Sequence, residues 1–357
     1  MTNRTLFSPA DICLPKISLS STEEWTKWAV IACDQFTSEP EYWKNAESIV
    51  GDAPSTLQMI LPEAYLSSES ETRLPKIADS MHAYAKDLLQ AYQNSMIYVR
   101  RTIGSGKVRC GIVGKIDLEE YDYGVGSTSA VRATEGTVLE RIPPRVAVRR
   151  AASLELPHIM LLIDDKEQRV IESLAAQTDS MERLYAFDLM QDGGHIEGYL
   201  LSEAQQKELG DTLTALFAKN GGSIRYAVGD GNHSLASAKA RYEELKAEIG
   251  ARAKEHPLRY ALCEVVNLHD EALVFEPIYR LVRTKNKTDL LAALTAYGKQ
   301  CADGVQTVEC LYDGKREKIS LGVGTHTLTV GTLQKFLDAY KAEHPETEID
   351  YIHGIDS

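Results

Sequence analysis

Tyr226-Ala-Val-Gly-Asp-Gly-Asn-His-Ser-Leu-Ala-Ser-Ala-Lys239 is the stretch on which the reading of this chain turns. An apolar strand stops at Gly229-Asp230-Gly231, and a helix opens directly behind it. Gly229 and Gly231 admit backbone conformations closed to other residues and let a ligand approach the main chain. The new helix start aims unpaired N–H groups and a partial positive charge at the same spot, which suits a phosphate or carboxylate. Asp230 adds an acid or metal ligand, Asn232 an amide, His233 an imidazole and Ser234 a hydroxyl. The same residues also fit a plain turn in which Asn232 or Ser234 does no more than cap the helix. A dinucleotide fingerprint fits poorly. The third glycine is missing, and about 20 residues on the chain is still in the helix, without the expected acidic residue. A P-loop fails too, because Gly106-Lys107 is followed by valine and sits in a hairpin.

Working outward, Ser202 with Gln205 forms a capping box for a helix to Lys219, and Asn220-Gly221-Gly222 stops it. The helix after the quoted stretch runs to Arg252. Upstream, IYVRRTI and VRCGIVGKIDL flank Gly104-Ser105-Gly106 as a hairpin between Met96 and Leu118. Ile77, Met81, Tyr84, Leu88 and Tyr92 recur at helical spacing and predict a helix from Pro75 to Gln93. A shorter helix covers Glu41 to Val50, and Lys166 to Ala176 reads as another. HIMLLIDD, MERLYAFDLM and HIEGYLLS read as strands, and Tyr121 to Ser129 as a loop. After His256-Pro257 come strands in RYALCEVVNL and LVFEPIYRLV, then a helix from Thr288 to Lys299. A hairpin at Asp313-Gly314, a helix from Thr332 to Glu343 and a strand near IDYIHG complete the chain. Hairpins outnumber strand–helix–strand units, so the predicted fold is α+β, a mixed sheet with flanking helices. A soft boundary separates a main α+β domain, 1–255, carrying the candidate site, from a C-terminal α/β portion, 256–357, packed on it. The two also fit a single domain.

Composition sets the outer bounds. The 357 residues are 43% hydrophobic and 25% charged, as in ordinary globular proteins. Lys+Arg 39 against Asp+Glu 52 gives a net charge of −13, which repels nucleic acid and anionic membranes. No apolar run approaches the roughly 20 residues needed to span a bilayer. The start, MTNRTLFSPADICLPK, lacks a signal-peptide core. The six cysteines are scattered with no CxxC pair, so neither a disulfide framework nor a structural zinc site is indicated. These features predict a cytoplasmic protein with free thiols and no nucleic-acid or membrane partner.

Two further segments carry chemistry. Arg132-Ala-Thr-Glu135-Gly-Thr137-Val-Leu-Glu140-Arg141-Ile-Pro-Pro-Arg145, followed by Arg149 and Arg150, gathers five arginines in an acidic protein. Such a cluster can clamp phosphate or carboxylate oxygens, or it can be a solvated helix face paired with local glutamates. Ala32-Cys33-Asp34-Gln35-Phe36-Thr37-Ser38-Glu39 follows the apolar run from Trp28 to Ala32 and reads as a strand end. It offers Asp34, Gln35 and Thr37 to a pocket rim. Nothing near Cys33 argues for a lowered thiol pKa, so a thiol nucleophile is disfavoured. The histidines other than His233 have no metal-ligand spacing on one helix, and no GxSxG elbow occurs.

Taken together, these segments resemble the bacterial and archaeal family called domain of unknown function 1015. The ACDQFTSEPEYW, LPEAYL, RATEGTVLERIPPR, AVGDGNHSLASAKA and HDEALVFEPIYR stretches carry the resemblance over nearly the whole chain. Many members carry Asp-Gly-His-His-Arg at the signature; here Asn232 and Ser234 depart from it, and any role of that arginine does not transfer. The strand–Asp-Gly-x-His–helix element also looks like the signature of the ParB/sulfiredoxin-like superfamily, whose members bind nucleotide phosphates at this helix start and include an ADP-dependent kinase of free serine. The resemblance implies phosphoryl transfer to or from a hydroxyl amino acid such as serine, in either direction. On that expectation Asp230 binds Mg²⁺ or accepts the hydroxyl proton, His233 is the general acid or base, and Glu135 is a second candidate base. Phosphate or nucleotide oxygens would meet Gly229, Gly231, Asn232, Ser234, Arg132, Thr137, Arg141 and Arg145. ATP or ADP is the implied phosphate donor, and the partner is a small substrate, phosphorylated or a phosphate acceptor. The rival expectation is a non-catalytic nucleotide-binding regulatory module.

Overall fold

A computed structural model of the chain describes residues 6–353 apart from 34, 37–38, 67–69, 105, 125, 135, 157–158, 274–277, 301–305, 323–325 and 327. Asp34, Thr37 and Glu135, singled out above, lie outside the described residues. The chain divides into two compact units, Met1–Leu273 and Val274–Ser357. Among the described residues no helix is long and apolar enough to cross a membrane.

The first unit runs β1 (Phe7–Ser8), β2 (Ala10–Pro15), α1 (Thr22–Trp28), α2 (Pro40–Val50), α3 (Ser70–Asp87), β3 (Leu89–Ser95), β4 (Ile97–Thr102) and β5 (Val108–Asp117). It continues with β6 (Tyr121–Asp122), β7 (Val131–Ala133), α4 (Ile142–Ala151), β8 (Met160–Ile163), β9 (Glu182–Asp188) and β10 (His195–Leu200). It closes with α5 (Glu203–Asn220), β11 (Tyr226–Asp230), α6 (Asn232–Ile249) and β12 (Tyr260–Asn267). Nine of these strands form one sheet in the order β6-β7-β11-β8-β12-β5-β4-β10-β9, and β1 adds to β5. The sheet is mixed: β6/β7, β7/β11 and β8/β12 pair in parallel, and the remaining pairs are antiparallel. The fold is therefore the predicted α+β, a large mixed sheet with helices on its faces.

Alternation along the strands sorts side chains between two cores. On one face Tyr98, Ile112, Leu161, Val265, Tyr226 and Val228 pack with Leu209 and Leu213 of α5 and Leu235 and Tyr242 of α6. On the other, Ile97, Val99 and Val113 pack with Ala10 and Ile12 of β2. A neighbouring core joins Trp25, Trp28, Trp43, Ile77 and Met81, from α1 to α3, to Phe187 of β9.

Three local expectations are corrected. The helix expected to reach Gln93 ends at Asp87, and β3 begins at Leu89, pairing antiparallel with β2. Apolar Leu88 and Tyr92 extend the helical spacing, but the N-terminal strand claims the segment. The run from Trp28 to Ala32 is not a strand: Trp28 is the last residue of α1, and Trp25 and Trp28 lie three apart on its buried face. The helix expected over Lys166 to Ala176 is replaced by a 3₁₀ stretch at Glu172–Ser180. Buried Asp165 captures the amides of Arg169 (2.7 Å) and Val170 (2.8 Å), which turns the chain where the helix would have begun. The capping box of Ser202 and Gln205 forms as predicted.

The second unit comprises β13 (Ile278–Arg283), α7 (Lys287–Gln300), β14 (Gln306–Tyr312), β15 (Lys315–Gly322), α8 (Thr329–Glu343) and β16 (Glu348–His353). β14 and β15 form the expected hairpin, with Asp313 and Gly314 both at positive φ, 48° and 70°. β13 pairs with β16, and Leu294, Leu321, Phe336, Leu337 and Tyr340 form the core.

Candidate functional site

The site is assembled by strand pairing. β7 lies parallel to β11, with Val131 opposite Tyr226 and Ala133 opposite Val228. The chain leaving β7 therefore runs beside the chain leaving β11, and the arginine-rich block meets the Gly229–Ser234 turn. Thr134 fastens the two, its Oγ1 donating to the Val228 carbonyl at 2.7 Å.

β11 ends because Gly231 takes φ 74° and ψ 31°, a left-handed conformation that glycine adopts without strain. Gly231 is also the residue before α6, and no side chain caps that helix start. Gly229 is exposed, and a Cβ there would come within 2.8 Å of the Leu162 side chain. The turn is held by Asp230. Its Oδ1 accepts from the Gly231 amide at 2.7 Å, and its Oδ2 accepts from Gln35 Nε2 at 3.1 Å. Gln35, expected at a pocket rim, thus touches the signature carboxylate across 195 residues of chain.

Asn232 is only 6% exposed. Its Nδ2 donates to Thr137 Oγ1 at 3.2 Å, while its Oδ1 is buried with no hydrogen-bond partner. Leaving such an oxygen unmet costs about 1–3 kcal/mol. His233 Nε2 accepts from the Val138 amide at 3.2 Å, so the neutral ring carries its proton on Nδ1. Buried Ser234 receives Arg149 Nη2 on its Oγ at 3.1 Å and on its carbonyl at 3.3 Å. Asp230, Asn232, His233, Ser234, Thr137 and Gln35 are thereby brought together.

The arginines divide differently. Arg132 sends its guanidinium back toward the start of both strands, to the Ser129 and Thr128 carbonyls and Ser223 Oγ, away from the turn. Arg145 pairs with Glu63 and donates to the Arg141 carbonyl at 2.7 Å. Arg141 is exposed, and Arg150 pairs with Glu244 of α6. Arg149 is the cation at the first turn of α6, and its Nη1 also reaches Glu155 Oε1 at 2.6 Å. Glu155 Oε2 in turn accepts from the Leu262 amide of β12 at 2.9 Å. Glu63, in the LPEAYL stretch, and Glu155 were not among the residues read from the sequence. A carboxylate's partner 82 positions away leaves no local pattern. No group of three or more His, Cys, Asp or Glu that could hold a metal ion occurs among the described residues. The five described cysteines, Cys33 among them, form no disulfide with one another.

A strand that stops at a left-handed glycine, an uncapped helix start and a ring of acid, amide, imidazole and hydroxyl groups define the class. It is an α+β protein with a polar cluster at the end of a sheet strand. More particularly, the chain belongs to the family of proteins of unknown function designated DUF1015, whose family model matches residues 14–342. None of the curated proteins and none of the solved structures matches the chain.

Proposed function

We propose that the protein is a cytoplasmic enzyme of small-molecule phosphoryl transfer, acting on a hydroxyl amino acid or its phosphate ester, with serine and phosphoserine as the first pair to test. The observation that carries this reading is the buried, unpartnered Asn232 Oδ1 beside an uncapped helix start. The helix amides supply donors for phosphate oxygens, and Asn232 Oδ1 supplies an acceptor for a substrate hydroxyl. A ligand bearing both groups answers both demands.

Asp230, oriented by two hydrogen bonds, would accept the hydroxyl proton. It is also the one described carboxylate in the ring, which fits a Mg²⁺ that arrives on substrate phosphates and takes few protein ligands. His233, with Nε2 on the Val138 amide, is the general acid or base, and Glu135 is a second base. Arg149, placed at Ser234, balances charge at the first turn of α6. The likeness of the strand–Asp-Gly-x-His–helix element to the ParB/sulfiredoxin-like superfamily supports ATP or ADP as donor in the synthetic direction.

Phosphorus NMR with Mg²⁺ tests the reading, using phosphoserine alone and serine with ATP or with ADP, on wild type and Asp230→Asn. Phosphate released from phosphoserine, and lost in the variant, makes the protein a phosphatase. Phosphoserine formed from a nucleotide makes it a kinase. Nucleotide binding without turnover in any tube replaces the proposal with a regulatory nucleotide-binding module.

A further inference from the structure

The other face of the sheet carries an arrangement that the helix-start site does not use. Arg101 of β4 and Arg109 of β5 stand directly opposite each other, and cross-strand partners share a face. Like charges in that position repel. Glu264 of β12 is the carboxylate that meets them: its Oε2 accepts from Arg109 Nη2 at 3.2 Å. Arg101 donates Nε and Nη2 to the Gly193 carbonyl, at 3.3 and 3.0 Å. Burial first, and then Arg109, pull the Arg101 guanidinium below its usual range.

Two demands are left unmet. Arg109 Nε is a buried donor with no partner, and Glu264 Oε1 a buried acceptor with none. Buried polar groups in folded proteins are almost always paired, and here an unmet donor and an unmet acceptor belong to the two partners of one ion pair. Glu264 reaches this position only because residue 111 is glycine: a Cβ there would lie 2.2 Å from Oε1. The cluster belongs to the same sheet as the signature turn, since Glu264 is paired with Met160, and Met160 with Asp230. Its exposure is small but real, with the Arg109 and Glu264 side chains 17% and 19% accessible.

A simple anion would satisfy Arg109 Nε and leave Glu264 Oε1 unmet; a simple cation would do the reverse. We propose that Arg101, Arg109 and Glu264 form a subsite for the zwitterionic head of an α-amino acid, the guanidinium pair taking its carboxylate and Glu264 its ammonium. This holds whether or not the helix-start site transfers phosphoryl groups.

The test is a thermal-shift screen of the full chain against the standard L-amino acids, each alone, followed by calorimetry on those that raise the melting temperature. At least one is expected to bind, with analogues lacking the carboxylate or the amine at least about tenfold weaker. Gly111→Ala keeps every charge but displaces the Glu264 carboxylate, and is expected to abolish binding. The double variant Arg109→Gln with Glu264→Gln, which removes both members of the ion pair together, is expected to do the same. Asp230→Asn is expected to leave amino-acid binding in place, so loss of phosphoryl chemistry and loss of this subsite read out separately. The proposal is overturned if no amino acid shifts the melting temperature, or if both variants bind as wild type does. Binding of acetate as tightly as of any amino acid, abolished by the same two variants, also overturns it, making the cluster a plain anion site.

Discussion

Arg149 joins three parts of the first unit through one guanidinium: α4, which carries it, the first turn of α6 at Ser234, and β12 by way of Glu155. Its side chain is 18% exposed and that of Glu155 26%, so the pair is partly screened. Arg149→Ala is expected to cost about 1–2 kcal/mol in urea unfolding, below the cost of breaking a fully buried pair. It is also expected to weaken phosphate-ligand binding, because the start of α6 loses its anchor. Glu172 makes a second prediction at this scale. Asn267 Nδ2 donates to its Oε1 at 2.8 Å, while Oε2 is buried without a partner, and burial raises the carboxyl above its ordinary 4.5. A carboxyl raised in the folded state holds its proton more tightly there than in the unfolded chain. Its contribution is therefore most favourable below the ordinary carboxylate range and is lost as pH rises through the raised value. Glu172→Gln is expected to gain stability relative to wild type at about pH 7 and to lose that advantage near about pH 4. Urea midpoints at both pH values check it, and an equal difference at both would refute the assignment. Of this detail the sequence disclosed the signature acid, amide and imidazole, because strand, glycine and helix are contiguous there. It disclosed none of the carboxylates that hold the arginines: Glu63 and Glu244 meet them only after distant elements pack, and Glu155, six residues after Arg149, lies beyond the end of α4, where helical spacing does not point to it.

At the scale of elements, local pattern and pairing compete, and the outcome depends on what each segment finds. α5 is legible at both ends to within one residue, because Ser202 and Gln205 cap it and Gly221, at φ 62°, ends it by local chemistry alone. β3 is not, because its apolar positions continue the spacing of α3 and only β2 tells them apart. Helix α7 shows how close such packing becomes. A Cβ at Gly298 would stand 2.0 Å from the Ser320 carbonyl oxygen of β15, a backbone atom that cannot rotate away. Gly298→Ala should lift α7 from the hairpin and destabilise the second unit by about 1–3 kcal/mol, as overpacking does. Hydrogen exchange at β14 and β15 is the measurement. Unchanged protection there would show that the helix and strand have room to part.

The whole molecule is an acidic body of net charge −13. Duplex DNA is expected to leave the anisotropy of a labelled probe unchanged even near about 50 mM salt, where phosphate contacts are strongest. A signal that vanished as salt rose would instead reveal a basic surface. By itself the sequence determined the class of fold, most of the strands and helices from β4 onward, and the Asp230–Ser234 turn. Periodicity, capping residues and glycine conformations act over a few neighbouring residues, so they are written in adjacent letters. Only the tertiary structure decided which strands neighbour each other in the sheet. That order brings Thr134 and Thr137 to the signature, turns Arg132 away from it and sets Arg101 against Arg109. Those juxtapositions depend on which apolar faces bury together and which strands then pair, a choice made by the chain as a whole and recorded in no single stretch of it.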